Sequence, residues 1–313
     1  MYHLKWPKLS AATLVLVLYW QAVLGSVLSP YKNPWTGSRR RNVNLDEEGW
    51  QEAPCGTNTT YRDSGLQQLV ASLNSSHNRR RQFIPQQTYT FNVVWQVIAS
   101  NFTYEGGWLP DLYIQAQMEQ LNRNYEGTGI SWVHTDTVRT ISPYWHESID
   151  SSSGTFGLRS AMYHTLKRGG ATTMNVYTLG FTKTGINGYS TMPDRFLIAP
   201  TLDAVGIRFT TLPLGNTVTH ESGHWLGLQH PFDRGCDPGD GVYDTPAQSR
   251  EIFGCPIGEN IDSCPDQPGL DPIHNFMEYT DDSCRTHFTP GQVEFMHTAI
   301  QTYRMNAVGE ARN

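Results

Sequence analysis

The sequence predicts an α+β fold: a mixed twisted sheet with one histidine-bearing helix in an N-terminal subdomain, then an irregular, disulfide-linked C-terminal subdomain ending in a helix. Three observations lead there. From Thr88 onward, segments of two-residue apolar alternation are interleaved with segments of 3.6-residue periodicity. After residue 230 the periodicity is lost and Gly, Pro and Asp become frequent, yet four of the five cysteines fall there. A final helical stretch opens at Thr289 with a capping pattern.

The elements follow in order. Phe91, Val93, Trp95 and Val97 alternate with Thr90, Asn92 and Gln96, which reads as a first strand. Pro110 and Asp111 open a helix whose apolar face is Ile114, Met118, Leu121 and Tyr125. Gly127 and Gly129 stop it, and residues 130–133 read as a second strand. A helical stretch over residues 155–168 ends at Gly169-Gly170 and leads into a strand over 174–179. Strand-like pieces lie near 187–192 and 204–211. A helix over 217–226 has Asn216 placed to cap it. In the last helix Thr289 and Gln292 form a capping box, with Pro290 at the first helical position.

The 217–226 helix carries the chemistry. Residues 220–230 match H-E-x-x-H-x-x-G-x-x-H. On a helix, His220 and His224 are about 400° of rotation apart, one turn plus about 40°, so both imidazoles leave one face. That spacing lets two nitrogens meet one Zn²⁺. Glu221 is too far to bind the ion but is placed to act as general base on a zinc-bound water. A straight helix would carry His230 about 15 Å from His220 along the axis, too far to share a metal. Gly227 removes the difficulty, because glycine accepts the positive φ that ends a helix and turns the chain back. His220, His224 and His230 are therefore the expected zinc ligands. His274 is read as structural, since a catalytic zinc keeps its fourth position open. An intact Glu221 argues against a binding protein that has merely kept the fold. The Gly227–His230 turn argues against a third ligand from a distant helix, and the lack of cysteines at motif spacing argues against structural zinc.

The N-terminus reads as a secretory signal over residues 1–25: Lys5 and Lys8, an apolar run over 11–20, then Gly25-Ser26. Residues 26–81 are polar and Asn/Arg-rich and suit a pro-segment, with Arg79-Arg80-Arg81 as the candidate maturation site. Residues 82–313 form the expected catalytic domain, long enough for one core. Sequons at Asn58, Asn74 and Asn101 are candidate glycosylation sites. Cys236, Cys255, Cys264 and Cys284 suit two disulfides in an oxidising compartment, with three pairings open, and Cys55 is left over. A net charge of −6 without a basic stripe argues against nucleic acid as a partner. No later run is long and apolar enough to cross a bilayer, and a secreted, extracellular monomer acting on proteins or peptides is expected.

Together, several stretches resemble the pappalysin family of metzincin zinc metalloproteases, most closely its fungal extracellular metalloprotease branch. Beyond the histidine motif, they are residues 239–248 (GDGVYDTPAQ), 271–279 (DPIHNFMEY) and 288–292 (FTPGQ), within a resemblance that runs from about Tyr89 to Arg304. The resemblance implies a metzincin-like fold with Met277 as the apolar floor of the Met-turn beneath the zinc histidines. It implies that Tyr279 hydrogen-bonds the oxyanion, and that the disulfides join Cys236 to Cys264 and Cys255 to Cys284. It suggests structural calcium in the Asp240–Thr245 loop, where Asp240, Asp244 and Thr245 offer hard oxygen ligands. It also suggests that Cys55, in Cys55-Gly56-Thr57, is a zymogen switch whose thiolate takes the open zinc position. Two positions depart from the family. Pro231 stands where threonine is usual, and Ser283 stands where some relatives carry an acid that selects basic side chains, although Asp281 and Asp282 are adjacent.

Overall fold

A computed structural model describes residues 55–57, 68–69 and 87–306. The expected signal, the run Arg79-Arg80-Arg81, Asn58, Asn74 and most of the expected pro-segment lie outside these residues. Asn101 lies within them and is exposed, with its Oδ1 accepting from the Thr103 N–H at 2.9 Å. All described residues belong to one unit, 52–313. None of the described helices is long and apolar enough to cross a membrane.

The sheet is mixed and five-stranded: β1 (Tyr89–Ala99), β2 (Ile130–Ile141), β3 (Thr173–Leu179), β4 (Gly188–Ser190) and β5 (Val205–Arg208), in spatial order β2-β1-β3-β5-β4. All pairings are parallel except that of β4, which runs antiparallel along β5 and forms one edge. The connection from β1 to β2 carries α1 (Asp111–Asn124), and that from β2 to β3 carries α2 (Pro143–Ser148) and α3 (Phe156–Leu166).

The alternation read in β1 marks one buried face, but its other face is covered as well. Gln96, read as a polar position, is fully buried, and its Nε2 donates to Leu166 O at 2.8 Å and Asn175 Oδ1 at 3.3 Å. The strand is central, so even its polar residues need internal partners. β2 runs to Ile141, well past the expected 133. Its second half is a polar, partly exposed edge that buries no apolar face and so leaves no alternating signature. The six-residue α2, capped by Ser142, is too short for periodicity to reveal.

One core lies between the sheet, the apolar face of α1, the histidine-bearing helix α5 (Thr217–Trp225) and the closing helix α6 (Pro290–Ala299). A smaller cluster covers part of the other sheet face, with Met162 and Tyr163 of α3 against Tyr177, Leu179 and Tyr189. A four-residue helix, α4 (Arg195–Ile198), links β4 to β5. Between residues 231 and 289 the described chain forms no helix or strand, and the disulfides Cys236–Cys264 and Cys255–Cys284 interlace it. The capping box at Thr289 is formed by both expected bonds.

α6 continues as a π-helical stretch (Ile300–Met305) that carries Arg304 into the interior. Arg304 donates to both Asp203 carboxylate oxygens at 2.9 and 3.0 Å and to Trp225 O, the exit of α5, at 2.8 Å. Its guanidinium lies 3.5 Å from the centroid of the Trp225 ring. Removing one partner of a buried ion pair strands the other, and Lys167 at 3.7 Å compensates Asp203 only in part. Arg304→Met is therefore expected to cost about 3 kcal/mol of folding stability, read from the urea midpoint. A loss below about 1 kcal/mol, the size of an exposed pair, would contradict this assignment.

Candidate active site

α5 begins at Asn216, but the Asn216 side chain does not cap it. Its Oδ1 accepts from Asn124 Nδ2 at 2.8 Å, and its Nδ2 donates to Asp282 O at 2.8 Å. The side chain ties α5 to α1 and to the C-terminal loops instead, a use that tertiary packing alone decides. Every residue of α5 is buried. The helix ends at Gly227, whose φ of 103° lets the Leu228 N–H return to Gly223 O at 3.0 Å. A Cβ there would also press on Phe295 and Ala299 of α6.

The turn brings His230 back to His220 and His224. The three Nε2 atoms are 3.2, 3.2 and 3.0 Å apart. Four ligands at about 2.0–2.1 Å in a tetrahedron would stand about 3.3 Å apart, so the spacing fits one Zn²⁺. The proton positions fit too. His220 Nδ1 donates to Phe276 O at 2.8 Å, His224 Nδ1 to Leu228 O at 2.7 Å, and His230 Nδ1 to Asp233 Oδ1 at 2.9 Å. These acceptors have no proton to give, so each ring keeps its hydrogen on Nδ1 and turns an Nε2 lone pair to the common point. Burial holds His220 well below the usual histidine range and His224 at about 3, so both are neutral donors.

Met277 lies against α5 and Tyr279 against the histidine cluster. Met277 is fully buried under α5, and a Cβ at Gly223 would lie 2.4 Å from its Sδ. Its turn is held by Asn275, whose side chain exchanges two hydrogen bonds with Gln292 of the α6 capping box, at 2.8 and 3.1 Å. The Tyr279 ring stands 4.8 Å from that of His230 and 5.9 Å from that of His220. Burial pushes its hydroxyl pKa upward, so it is a neutral donor. His274 lies apart from the cluster and donates Nδ1 to Cys284 O at 2.7 Å, a structural role.

Glu221 is buried beside the cluster, and with no cation present burial lifts its carboxyl to about 8, a shift that a nearby cation opposes. Edge strand β4 passes directly over it: a Cβ at Gly188 would lie 2.8 Å from Glu221 Cγ and Oε1. Residues 55–57 lie in the same place. Cys55 forms a parallel bridge with Gly188, the Gly56 N–H donates to Gly188 O at 2.8 Å, and the Ser190 N–H donates to Thr57 Oγ1 at 2.8 Å. Cys55 Sγ is 3.6 Å from His224 Nε2 and completes a buried four-residue group of metal-ligand type. Thr57 Oγ1 donates to Glu221 Oε2 at 2.9 Å, and Tyr279 OH to Cys55 O at 3.3 Å.

In the candidate calcium loop, Asp240 and Thr245 are buried side by side, and burial lifts Asp240 to about 8 against the lowering effect of the Val242 N–H and the Thr245 hydroxyl. Asp244 does not join them. It accepts from Thr289 Oγ1 at 2.7 Å and from the Gly291 N–H at 2.8 Å, at the start of α6. Among the acids near Ser283, Asp282 pairs with Arg285 and accepts from the Asn216 N–H at 3.1 Å. Pro231 leaves the three histidines together. Sequence reasoning missed Gly188, Thr57 and Asp233. Thr57 and Gly188 lay in stretches already singled out but carried no signal of their contacts with Glu221, whereas Asp233 left one, as a carboxylate three residues from a histidine of the motif.

A family of peptidases described as pregnancy-associated plasma protein-A matches residues 202–301. An extracellular metalloprotease of Pyricularia oryzae is 39% identical over 229 residues, covering 70% of this chain and 77% of the relative. One of Verticillium alfalfae is 36% identical over 272 residues, covering 81% and 92%. Among solved structures, mature mirolysin of Tannerella forsythia in complex with a cleaved peptide matches with a TM-score of 0.57 at 25% identity, over 70% of this chain and 93% of that one. A promirolysin mutant shares the fold with a TM-score of 0.61 at 23% identity, over 80% and 94%. With a histidine cluster at a helix exit, a buried methionine beneath it and these relatives, the chain belongs to the pappalysin (M43) family of extracellular metalloproteases.

Proposed function

We propose that the protein is a secreted zinc endopeptidase, made as a zymogen, that acts as a monomer on peptide bonds of extracellular proteins. The observation that carries this reading is the convergence of three Nε2 lone pairs beside a buried glutamate that binds none of them. His220, His224 and His230 would hold the zinc. When bound, zinc polarises the scissile carbonyl and acidifies the attacking water. Glu221 takes the proton of that water as it adds to the carbonyl, and passes it to the leaving amine. Tyr279 donates its hydroxyl hydrogen to the developing oxyanion. The substrate pairs in extended form with edge strand β4, and Gly188 leaves room for its backbone close to Glu221.

The contacts of residues 55–57 support a latent form. They use the β4 edge, the Glu221 carboxylate and the Tyr279 hydroxyl, which are the groups a substrate needs. Residues 1–25 are assigned as signal, 26–81 as pro-segment and 82–313 as catalytic domain, with a glycan expected on Asn101.

The test is casein cleavage by the secreted protein with and without 1,10-phenanthroline, beside Cys55→Ala. Chelator-sensitive cleavage is the expected result. A zinc-loaded Cys55→Ala protein that cleaves nothing would leave a catalytically silent binding protein as the better reading. Tyr279→Phe is expected to lower kcat about 10²-fold with KM nearly unchanged. Equal losses in binding and turnover would instead place Tyr279 in ground-state binding.

Calcium at Asp240 and Thr245 belongs to the same reading, supported by a buried carboxylate beside a buried hydroxyl. Because the Asp240 pKa is raised from 3.8 to about 8, the cation-free folded chain holds a proton that the unfolded chain releases. Its contribution to stability is full below about 4 and is lost as pH rises through about 8. Calcium binds the ionised carboxylate, so its gain in Tm should be larger at about pH 8 than at about pH 5. No gain at either pH would exclude the site.

A further inference from the structure

His230 stands outside the helix that orients His220 and His224, so something else must aim its ring. The turn that follows does so. The Asp233 N–H closes on His230 O at 3.2 Å, and the Asp233 carboxylate then grips the histidine twice. Asp233 Oδ2 accepts the His230 backbone N–H at 2.8 Å, and Oδ1 accepts from His230 Nδ1 at 2.9 Å. The Phe232 ring stacks on the imidazole at 4.9 Å with a 6° interplanar angle. The His230 side chain is 3% exposed and that of Asp233 is 11% exposed, so little water competes for these bonds. His220 and His224 donate instead to neutral backbone carbonyls.

We infer that Asp233 is the positioning residue of the metal centre. One carboxylate fixes both the backbone and the ring of His230, so its Nε2 lone pair faces the cluster before an ion arrives. A charge-assisted bond to Nδ1–H also raises the electron density on Nε2, which makes the loop-borne histidine the strongest donor of the three. The inference rests on the three-histidine metal reading proposed above.

The test compares full-length wild type with Asp233→Ala and the nearly isosteric Asp233→Asn. Zinc affinity is measured by competition with a chromophoric chelator, together with the visible spectrum of the Co²⁺-loaded proteins and the Tm of the metal-free proteins. Asp233→Ala should bind zinc about 10- to 100-fold more weakly and shift the Co²⁺ bands, with little change in metal-free Tm. Asp233→Asn should lie between, since it can still accept from one N–H but carries no charge. If Asp233→Ala does not fold, the affinity and spectrum of Asp233→Asn decide. Wild-type zinc affinity in the variants would overturn the inference, as would a lowered metal-free Tm with an unchanged Co²⁺ spectrum, which marks a turn residue only. Tight zinc binding by wild type with unaltered variants sinks Asp233 alone. Failure of wild type to bind zinc sinks the three-histidine reading with it.

Discussion

Glu221→Ala is expected to lower kcat/KM about 10²- to 10⁴-fold while the protein keeps its zinc. The asymmetry follows from position. Glu221 shares α5 with His220 and His224, but the three imidazoles converge without it and their Nδ1 partners come from other residues. Its carboxylate points toward the space beneath β4, where it meets Thr57 Oγ1. Removing it leaves the nitrogen donors and their supports untouched and takes away the proposed acceptor of the water's proton. Two measurements check this: peptide-cleavage rates in the Cys55→Ala background, and zinc content by elemental analysis. Retention of activity within a few-fold would remove Glu221 from the mechanism. Loss of zinc along with activity would recast it as a support of the metal site.

Cys55→Ala should convert a latent full-length chain into an active one, with at least about a tenfold gain, equivalent to about 1.4 kcal/mol of lost inhibitory contact. Cys55 brings its sulfur to the open side of the histidine cluster, and the carbonyl of the same residue accepts the Tyr279 hydroxyl. Burial, followed by the nearby Glu221 charge, raises its thiol pKa well above the usual value when no cation is present. A bound Zn²⁺ reverses that balance, since a coordinating thiol is deprotonated. The thiol should therefore be shielded from alkylating reagents while the segment stays in place. Rates must be compared on chains whose mass shows that residues 26–81 are still attached. Full activity in unprocessed wild type would exclude the switch.

The three-histidine cluster was legible in eleven residues. His220, Glu221, His224, Gly227 and His230 have a spacing that makes sense only if a helix carries two ligands and a glycine returns the third. Helix rotation and glycine's freedom at positive φ are local properties. β1, α1, α5 and the capping box of α6 were legible for the same reason, since periodicity and caps act within a few residues. The short α2 and the polar half of β2 were not, because neither buries an apolar face with a clear period.

The supports of the site were decided by contacts between residues far apart in the chain. Asn216 has the residue type of a helix cap, yet its side chain bonds Asn124 and Asp282. Asp244 has the residue type of a calcium ligand, yet it closes the start of α6. Gly188 has no local turn to explain it until β4 is seen passing over Glu221. The sequence by itself determined which atoms could hold a metal, because ligand type and helical spacing are written along the chain. Only the tertiary structure decided which groups aim, cover and block them, because a hydrogen bond or an ion pair forms with whatever folding brings within about 3 Å, whatever its distance in sequence.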